Sequence, residues 1–304
     1  MNMRAIYTPT AKSYFSGAGG MDLGLIDTGI DVIQSLEIEP LFVETLKMNF
    51  SHKILNEDIR NIEVLKQDKT DIIVGTFPCT KYSTIADIHG TRTGDELFLH
   101  MFRHIAIEKP EAYVIENVPG MKKFPVVMEA MSKLPDYFVN IFCPIDASNW
   151  LPQKRERLIL IGTKKPFNFR EPENTKRITL KDIIEDNPQF KNNPQFKNIP
   201  ESVYSRLNGK YRDLPIISDP MDSNSMAPTC VAHYSKDRGT RLIKDARFKQ
   251  GVRPYTPLEY ARLQGFPDTF QFAGTGNQSY TQVGNAVAIP VARWIGKELM
   301  RYFN

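Results

Sequence analysis

DIIVGTFPCTKYST, residues 71–84, is the stretch of sequence that decides the fold class. Residues 71–74 form a short apolar run rich in β-branched side chains, which is typical of a buried strand. Pro78, whose φ is fixed, stiffens the backbone just before Cys79. Because ligands of open α/β sheets bind beyond the carboxyl ends of strands, Cys79 stands where a nucleophile could act. The stretch alone does not decide between that role and a small buried hydrophobic residue, the other common role of a free cysteine.

Strands and helices alternate along the chain on both sides of this stretch. The alternation predicts a doubly wound, mostly parallel, Rossmann-like α/β sheet. The predicted strands cover residues 11–15, 31–36, 52–55, 71–74, 112–115, 137–144 and 158–162, and the predicted helices cover residues 21–26, 40–50, 96–108, 258–264 and 289–303. From residue 164 proline becomes frequent and the periodicity fades, which predicts a smaller, irregular domain. There NPQFKN at 187–192 is repeated at 193–198, too short a unit for a solenoid and typical of a duplication in a tolerant loop.

Three successive predicted strand ends carry groups that suit a nucleotide-like cofactor. The glycine-rich turn at 16–20 follows the first strand and lets a ligand approach the backbone closely. Glu37 ends the second strand, where a carboxylate can accept both hydroxyls of a ribose, and the neighbouring Ile38 can pack on adenine. Asp58, just beyond the third strand, can accept from an exocyclic amine. Each acid alone would more commonly be a loop or capping residue, but the three strand ends together favour a cofactor site.

The same turn narrows the kind of cofactor. No G-x-x-x-x-G-K-[ST] motif occurs in the sequence, so the turn is not that of an ATP hydrolase. Four glycines between Gly17 and Gly24 fit a cofactor that lacks a pyrophosphate. S-adenosylmethionine is such a cofactor.

Charged and polar side chains also stand near the ends of the later strands. Glu116 ends the strand that follows the one leading to Cys79, so a carboxylate and a thiol are expected at the same edge of the sheet. Gln153, Arg155 and Arg157 alternate before the last predicted strand, and such alternation would point the three side chains to one face. For these three residues alone, a solvated strand entry remains the alternative.

The distribution of charge suggests a nucleic-acid partner. The chain has 304 residues and a formal net charge of +4, yet residues 164–253 carry 18 Lys and Arg against 11 Asp and Glu. The remaining residues carry 21 and 24, so a basic segment is joined to a mildly acidic body. This asymmetry is typical of a polyanion-binding module attached to a catalytic domain. Ordinary scatter of charge is the alternative.

The cysteine content and the hydropathy of the sequence indicate the compartment in which the protein is expected. The three cysteines, none in a C-x-x-C pair, argue against a disulfide framework and against a zinc site, so no metal is expected. The sequence has neither a long apolar run that could span a membrane nor a signal-peptide core. We therefore expect a cytoplasmic protein without a membrane partner.

With these pieces placed, the chain resembles the DNA (cytosine-5) methyltransferases along nearly its whole length. Six sequence blocks occur in the order of that family. They are FSGAGG at 15–20, FPC at 77–79, ENV at 116–118, the Gln153, Arg155 and Arg157 array, RPYTPLEYARLQGFP at 253–267 and QVGNAV at 282–287. The resemblance implies a class I methyltransferase fold. It also implies a catalytic and cofactor-binding domain at 1–163, completed by 277–304, and a target-recognition domain at 164–276 whose variable part is 164–252.

The resemblance further implies which residues act on the substrate. Cys79 would add to C6 of a cytosine flipped out of duplex DNA, Glu116 would donate to N3 and bind the exocyclic amine, and Arg155 and Arg157 would bind the O2 edge. The expected cofactor-binding residues are Phe15, Ser16, Gly17, Ala18, Gly19, Gly20, Glu37, Ile38, Asp58, Ile59, Pro78, Leu97, Asn285 and Val287. The expected DNA-binding residues are Ser83, Gln153, Arg238 and Arg241.

Partners and rival functions follow from the same resemblance. The methyl donor would be S-adenosylmethionine and the product S-adenosylhomocysteine. Double-stranded DNA would be the substrate of a monomeric enzyme, and a cognate restriction endonuclease acting on the same site could accompany it. A tRNA cytosine-5 methyltransferase and a catalytically inactive nucleic-acid-binding relative are the alternatives.

Two departures from the family pattern stand out. Thr80-Lys81-Tyr82 replaces the residues that usually follow the Pro-Cys pair, at the start of a long polar loop. Ile38 stands where relatives often have an aromatic residue against adenine, which predicts slightly weaker cofactor binding.

Overall fold

The computed structural model describes most of the chain in two compact units. The described residues are 7–78, 97–173, 178–186, 216–248 and 251–304. Cys79, Ser83, the Thr80-Lys81-Tyr82 departure and the NPQFKN repeat lie outside them. The first unit comprises Met1–Asp146, Glu156–Pro172 and Val287–Asn304, and the second unit comprises Ala147–Arg155 and Glu173–Ala286.

The first unit is built on one seven-stranded sheet. Its strands are β1 (Thr10–Tyr14), β2 (Asp31–Glu37), β3 (Lys53–Asn56), β4 (Ile72–Gly75), β5 (Ala112–Asn117), β6 (Phe138–Asp146) and β7 (Glu156–Thr163). They lie in the order β3-β2-β1-β4-β5-β7-β6. The first five in that order run parallel, whereas β7 pairs antiparallel with both β5 and β6. The predicted mostly parallel, doubly wound α/β sheet is confirmed.

Helices follow the strands of this unit, and all of them except the one at residues 125–132 were predicted. They are α1 (Gly20–Ile26), α2 (Pro40–Asn49), α3 (Leu97–Glu108), α4 (Pro125–Ser132) and, at the C-terminal end, the longest described helix, α8 (Ile289–Phe303). Proline occupies the first turn of α2, where its fixed φ and missing N–H cost nothing. Gly24 of α1 touches Ala292 of α8 so closely that a side chain there would overlap it, which explains why a glycine stands inside this helix.

The central strands are almost entirely apolar because both faces of the sheet are covered. Every residue of β4 and β5 is buried. Continuous runs of this kind are typical of parallel strands in α/β proteins, where alternation is lost. Lys12 of β1 is an exception, and its buried ammonium forms an ion pair with Glu108 of α3 at 2.9 Å. A paired charge of this kind satisfies a group that would otherwise be costly to bury.

The described part of the second unit contains a small mixed sheet and three short helices. Its strands are β8 (Ile216–Ser218), β9 (Arg241–Lys244) and β10 (Val252–Pro254), and its helices are α5 (Leu180–Ile183), α6 (Pro257–Leu263) and α7 (Gly276–Asn285). Thr256 and Glu259 form a capping box at the start of α6. The stacked rings of Tyr234 and Tyr260, each in edge contact with Tyr280, form its aromatic core.

The division of the chain differs from the predicted boundaries. Residues 147–155 belong to the second unit because the side chains of Gln153 and Arg155 are anchored in it. The second unit ends at Ala286 rather than at residue 276, because the unpredicted helix α7 packs within it. Within the described residues, no helix has the length and apolar character needed to span a membrane.

Candidate active site

The carboxyl ends of β1, β2 and β3 bring two of the predicted cofactor groups together. Glu37 Oε2 accepts from the N–H of Gly17 at 2.7 Å. Its Oε1 accepts from the N–H groups of Ile38 and Glu39, both at 2.9 Å. Burial raises the pKa of the Glu37 carboxyl, and the three backbone donors oppose that shift. The carboxylate is thus fixed beside the glycine-rich turn.

The turn itself needs glycine at two positions. Gly17 and Gly19 have φ of 55° and 85°, in the left-handed region that other residues rarely adopt. A side chain at Gly19 would also overlap the ring of Phe50. The neighbouring Ala18, Gly20 and Ser16 are buried, so the turn is a compact backbone surface rather than a set of projecting side chains.

Asp58 is present at the third strand end, but it has a partner that the sequence analysis missed. Its carboxylate accepts from Arg60 Nε at 2.9 Å and from Arg60 Nη2 at 2.5 Å, and this side-chain hydrogen bond lowers the pKa of Asp58. Ile59, next to it, is buried, whereas Ile38 is 52% exposed. An exposed apolar side chain beside two strand-end carboxylates fits the predicted contact with adenine.

The other residues expected at the cofactor are spread over several elements. Pro78 is exposed beyond β4, and Leu97 is the first residue of α3. Val287 belongs to the first unit, whereas Asn285 ends α7 in the second. Phe15 has φ of 60°, and its carbonyl accepts a hydrogen bond from the Thr76 hydroxyl at 2.8 Å. This bond joins the glycine-rich turn to the segment after β4.

The next strand ends hold the predicted acid. Glu116 on β5 forms an ion pair with Arg157 on β7, with Oε1 and Nε 2.9 Å apart and side-chain exposures of 10% and 13%. Asn117 donates its amide to the carbonyl of Phe77 at 3.1 Å and so fixes the chain two residues before Cys79. The structure thus brings Glu116 and Arg157 together. Cys79, the third expected partner, follows the exposed Pro78 and lies outside the described residues.

Gln153 and Arg155 come before β7, which begins only at Glu156, so the face that they were expected to share with Arg157 stays a prediction. Arg155 is buried in the second unit, where its guanidinium donates to the carbonyls of Cys230 at 2.9 Å and Ala286 at 2.8 Å.

Gln153 has an interior role instead of the predicted contact with DNA. It is fully buried. Its amide oxygen accepts from the N–H of Cys230 at 2.8 Å, and its Nε2 donates to the carbonyl of Leu263 at 2.7 Å and to Gln264 at 3.0 Å. An amide engaged at both ends in the interior is not available to a base or a phosphate. Together with Arg155, it anchors residue 230 from both sides.

The two arginines expected to bind DNA lie in the second unit. Arg238 begins a short 3₁₀ turn and Arg241 begins β9, and both are partly exposed. Arg241 Nη1 donates to the hydroxyl of Thr240 at 3.1 Å.

The RPYTPLEYARLQGFP block contains a buried charge cluster whose form the sequence did not indicate. Arg253 is 1% exposed and donates to Asp245 through Nε and to both carboxylate oxygens of Glu259, each at 2.7 Å. Burial alone would raise the pKa of Asp245, but hydrogen bonds from Arg247 and Arg253 hold it at about 2. This cluster joins β10 to α6 and stabilises the second unit rather than a reacting group.

The chain is similar to known proteins over nearly its whole length. The model of the family described as C-5 cytosine-specific DNA methylase matches residues 10–301. The type II methyltransferase M.Bsp6I of Bacillus sp. (strain RFL6) is 29% identical over 315 residues, covering 95% of this chain and 98% of the relative. The type II methyltransferase M.NlaX of Neisseria lactamica is 30% identical over 304 residues, covering 94% of both chains.

Solved structures show the same fold. The S. pombe Dnmt2 methyltransferase superposes with a TM-score of 0.78 at 18% sequence identity, covering 98% of this chain and 100% of its own. The Entamoeba histolytica methyltransferase EhMeth superposes with a TM-score of 0.76 at 21% identity, covering 98% of each chain. At these identities the likeness concerns the fold alone.

Proposed function

The chain belongs to the C-5 cytosine-specific DNA methylase family, and from this membership we propose that Cys79 and Glu116 carry out its reaction with S-adenosylmethionine as the methyl donor. The protein is a DNA cytosine-5 methyltransferase. The observation that carries the proposal is the ion pair between Glu116 and Arg157 at the end of β5. Strand β5 lies beside β4, from which the chain leads directly to Cys79.

Cys79 is proposed as the nucleophile because the chemistry requires one. Carbon C5 of cytosine is too weakly nucleophilic to attack a methyl sulfonium. Addition of a thiolate to C6 makes C5 resemble an enamine carbon and splits one hard step into easier ones. A guanidinium such as that of Arg157 near the thiol would favour the thiolate. Loss of the C5 proton and departure of Cys79 then restore the aromatic ring.

Glu116 is proposed to act on the other side of the ring. Negative charge accumulates on N3 as C6 is attacked, and a carboxyl group can donate a proton or hydrogen bond there. Arg157 holds Oε1, so Oε2 is the oxygen left to face the base. Because the target carbon is inside a duplex, the cytosine must be flipped out, which costs a few kcal/mol. Arg155 contributes by fixing the backbone at residues 230 and 286 rather than through alternation with Arg157.

The cofactor site is proposed at the ends of β1 to β3. Gly17 supplies a backbone surface, Glu37 a fixed carboxylate for the ribose hydroxyls, Ile38 an apolar contact and Asp58 an acceptor for the adenine amine. The donor set fits an adenosine without a pyrophosphate, since no cationic side chain stands in the turn. S-adenosylmethionine supplies an electrophilic methyl group there, and the protein supplies binding and orientation.

The second unit is proposed to choose the DNA site. Its basic segment and the partly exposed Arg238 and Arg241 suit phosphate neutralisation, on which base readout can then act. The substrate would be double-stranded DNA, methylated in the cytoplasm by a monomer. Because similar proteins are named type II methyltransferases, we also propose that a restriction endonuclease with the same target accompanies it.

A covalent trap tests the reaction. In 5-fluorocytosine DNA the carbon that receives the methyl group has no proton to lose, so the final elimination fails and the adduct persists. Purified enzyme, S-adenosylmethionine and duplex carrying the fluorinated target should give a complex that survives denaturation. The target sequence itself would come first from bisulfite sequencing of DNA from cells that express the protein.

Three cysteine variants test which thiol forms the trapped adduct. Cys79→Ser should abolish it, because a hydroxyl is far less ionised than a thiol at neutral pH. Cys143→Ser and Cys230→Ser, at the two other cysteines, should still trap. Trapping that survives Cys79→Ser would refute the mechanism. Trapping on fluorinated tRNA but not on DNA would indicate that the substrate is tRNA rather than DNA.

A further inference from the structure

The carboxylate of Asp58, at the third strand end, is already occupied by a neighbouring side chain. Its Oδ1 accepts from the backbone N–H of Arg60 at 2.9 Å and from Arg60 Nε at 3.0 Å. Its Oδ2 accepts from the same Nε at 2.9 Å and from Arg60 Nη2 at 2.5 Å. Because a carboxylate offers about four acceptor positions, these contacts leave little room for a further donor.

The same carboxylate is the proposed acceptor for the amine of adenine. Hydrogen bonds from Arg60 lower the pKa of Asp58, so the group is ionised at neutral pH and can only accept hydrogen bonds. The guanidinium of Arg60 and the amine of an adenosyl ligand are both donors. They therefore compete for the same two oxygens.

Only part of the contact has to break when a ligand arrives. Asp58 caps the 3₁₀ turn Ile59–Asn61, and the bond from the backbone N–H of Arg60 to Oδ1 belongs to that cap. Both contacts at Oδ2 come from the Arg60 side chain, which is 56% exposed. Rotation of this one side chain thus frees Oδ2 and keeps the cap intact.

The backbone of the turn is fixed independently of the Arg60 side chain. Arg103 of α3 donates through Nη2 to the carbonyls of Ile59 at 2.8 Å and of Ile62 at 3.0 Å. The side chain of Ile59 is buried in the core of the first unit. Since the turn is held by these contacts, Asp58 can be uncovered without a movement of the backbone that carries it.

A second acid beside the turn can receive the released guanidinium. Glu57 uses Oε1 to accept from the N–H of Asp58 and from the amide of Asn61, both at 2.9 Å. Its Oε2 is left for a cation, and Glu57 and Arg60 are both exposed at the two ends of the same short segment. Exchange of one exposed ion pair for another changes stability little, so the side chain can move readily.

We propose that Arg60 covers Asp58 when no cofactor is bound, and that this ion pair sets both the affinity and the base selectivity of the adenosyl site. The inference rests on the proposed cofactor site. A purine with a 6-amino group supplies a donor that replaces the guanidinium. A purine without that group has no donor to offer there, and the Arg60–Asp58 ion pair stays closed.

Calorimetric titration with S-adenosylhomocysteine tests the competition. Arg60→Ala should bind about twofold to fivefold more tightly than the wild type, because an exposed ion pair no longer has to open. Arg60→Lys keeps a cation but loses the planar two-pronged contact, so its affinity should lie between the two. Lys66→Ala, which removes the exposed ion pair with Glu63 in the next turn, should bind as the wild type does.

Two further readouts distinguish competition from a structural role of Arg60. Salt screens an exposed ion pair, so between about 20 mM and about 500 mM salt the wild-type affinity should rise about twofold relative to that of Arg60→Ala. The second readout uses the analogue of S-adenosylhomocysteine that has hydrogen in place of the 6-amino group. This analogue should bind equally to the wild type and to Arg60→Ala, because it has no donor for the freed carboxylate.

The outcomes separate the inference from the cofactor site on which it rests. Equal or weaker binding by Arg60→Ala, together with weaker binding by Asp58→Ala, would overturn the competition and keep Asp58 in the site. Unchanged binding by Asp58→Ala would remove Asp58 from the site and the inference with it, and no binding by the wild type would overturn the cofactor site itself. If melting curves show Arg60→Ala to be unfolded, Arg60→Gln, which keeps most of the side-chain length, carries the same test.

Discussion

Arg157 Nε lies 2.9 Å from Glu116 Oε1, and the two residues stand on the antiparallel neighbours β7 and β5. Both side chains are largely shielded from water, so their charges interact more strongly than a surface pair would. The pair fixes one carboxylate oxygen of Glu116. For a family whose reaction places charge on a cytosine ring, we propose that Arg157 positions Glu116 and supplies a cation near the base.

Shortening this arginine should therefore slow the chemical step. Arg157→Lys keeps the charge but loses the fixed planar donor, and we expect the single-turnover methylation rate to fall about a hundredfold, as for loss of one preorganised donor. The control is Arg293→Lys, which alters the exposed ion pair with Asp27 in the same unit. A wild-type rate for Arg157→Lys would remove the pair from the mechanism.

The cofactor carboxylate gives a second prediction. Glu37→Gln replaces one acceptor oxygen by an NH₂ group, which cannot accept from the N–H of Gly17 or from those of Ile38 and Glu39. We expect roughly tenfold weaker binding of S-adenosylhomocysteine by calorimetry, since a donor then faces a donor. Glu39→Gln, the exposed neighbour, should bind as the wild type does. Equal affinity for the two variants would exclude Glu37 from the site.

The sequence predicted the sheet well because buried strands and glycine turns leave strong local signals. Strand ends could then be placed side by side, and the contact of Gly17 with Glu37 follows from adjacent parallel strands. Helix α7 was missed because its residues GNQSYTQVGN are mostly polar, although Thr275 and Gln278 carry a readable capping box.

The contacts of Arg155 could not be predicted from the pattern of the sequence. Alternation is informative only inside a strand, and β7 starts after this residue. Nothing local in the sequence indicates that Arg155 binds the carbonyls of Cys230 and Ala286, more than seventy positions away. The pairing of Asp58 with Arg60 could not be predicted from the sequence either, because an acid at a strand end can use the same oxygens to cap a turn or to bind a ligand.

Specificity should move with the variable segment. Replacing residues 164–252 by the corresponding segment of a relative of known target should transfer that target, measured by bisulfite sequencing of genomic DNA from expressing cells. Gln153 and Arg155 hold residue 230, so a second chimaera that exchanges only 164–228 keeps those contacts and should fold at least as well. An active chimaera that retains the original target would refute the assignment.

Acid should weaken the second unit through Asp245. Its pKa is about 2 in the folded protein against about 3.8 unfolded, so its contribution to stability is complete above about pH 4 and is lost as the pH falls toward 2. Since one pKa unit is about 1.4 kcal/mol, this difference in pKa corresponds to roughly 2.5 kcal/mol at most. The difference in unfolding free energy between wild type and Asp245→Asn should therefore narrow by about 1–2 kcal/mol over that interval, measured by urea denaturation followed by fluorescence.

The narrowing of this free-energy difference with falling pH distinguishes an ion pair from packing alone. Arg253 keeps its bonds to Glu259 in the Asp245→Asn variant, so the fold should survive at neutral pH with reduced stability. If the difference in unfolding free energy between wild type and Asp245→Asn stays constant from pH 4 to pH 2, the carboxylate is not ionised beside Arg253, and the buried cluster stabilises the unit by packing alone.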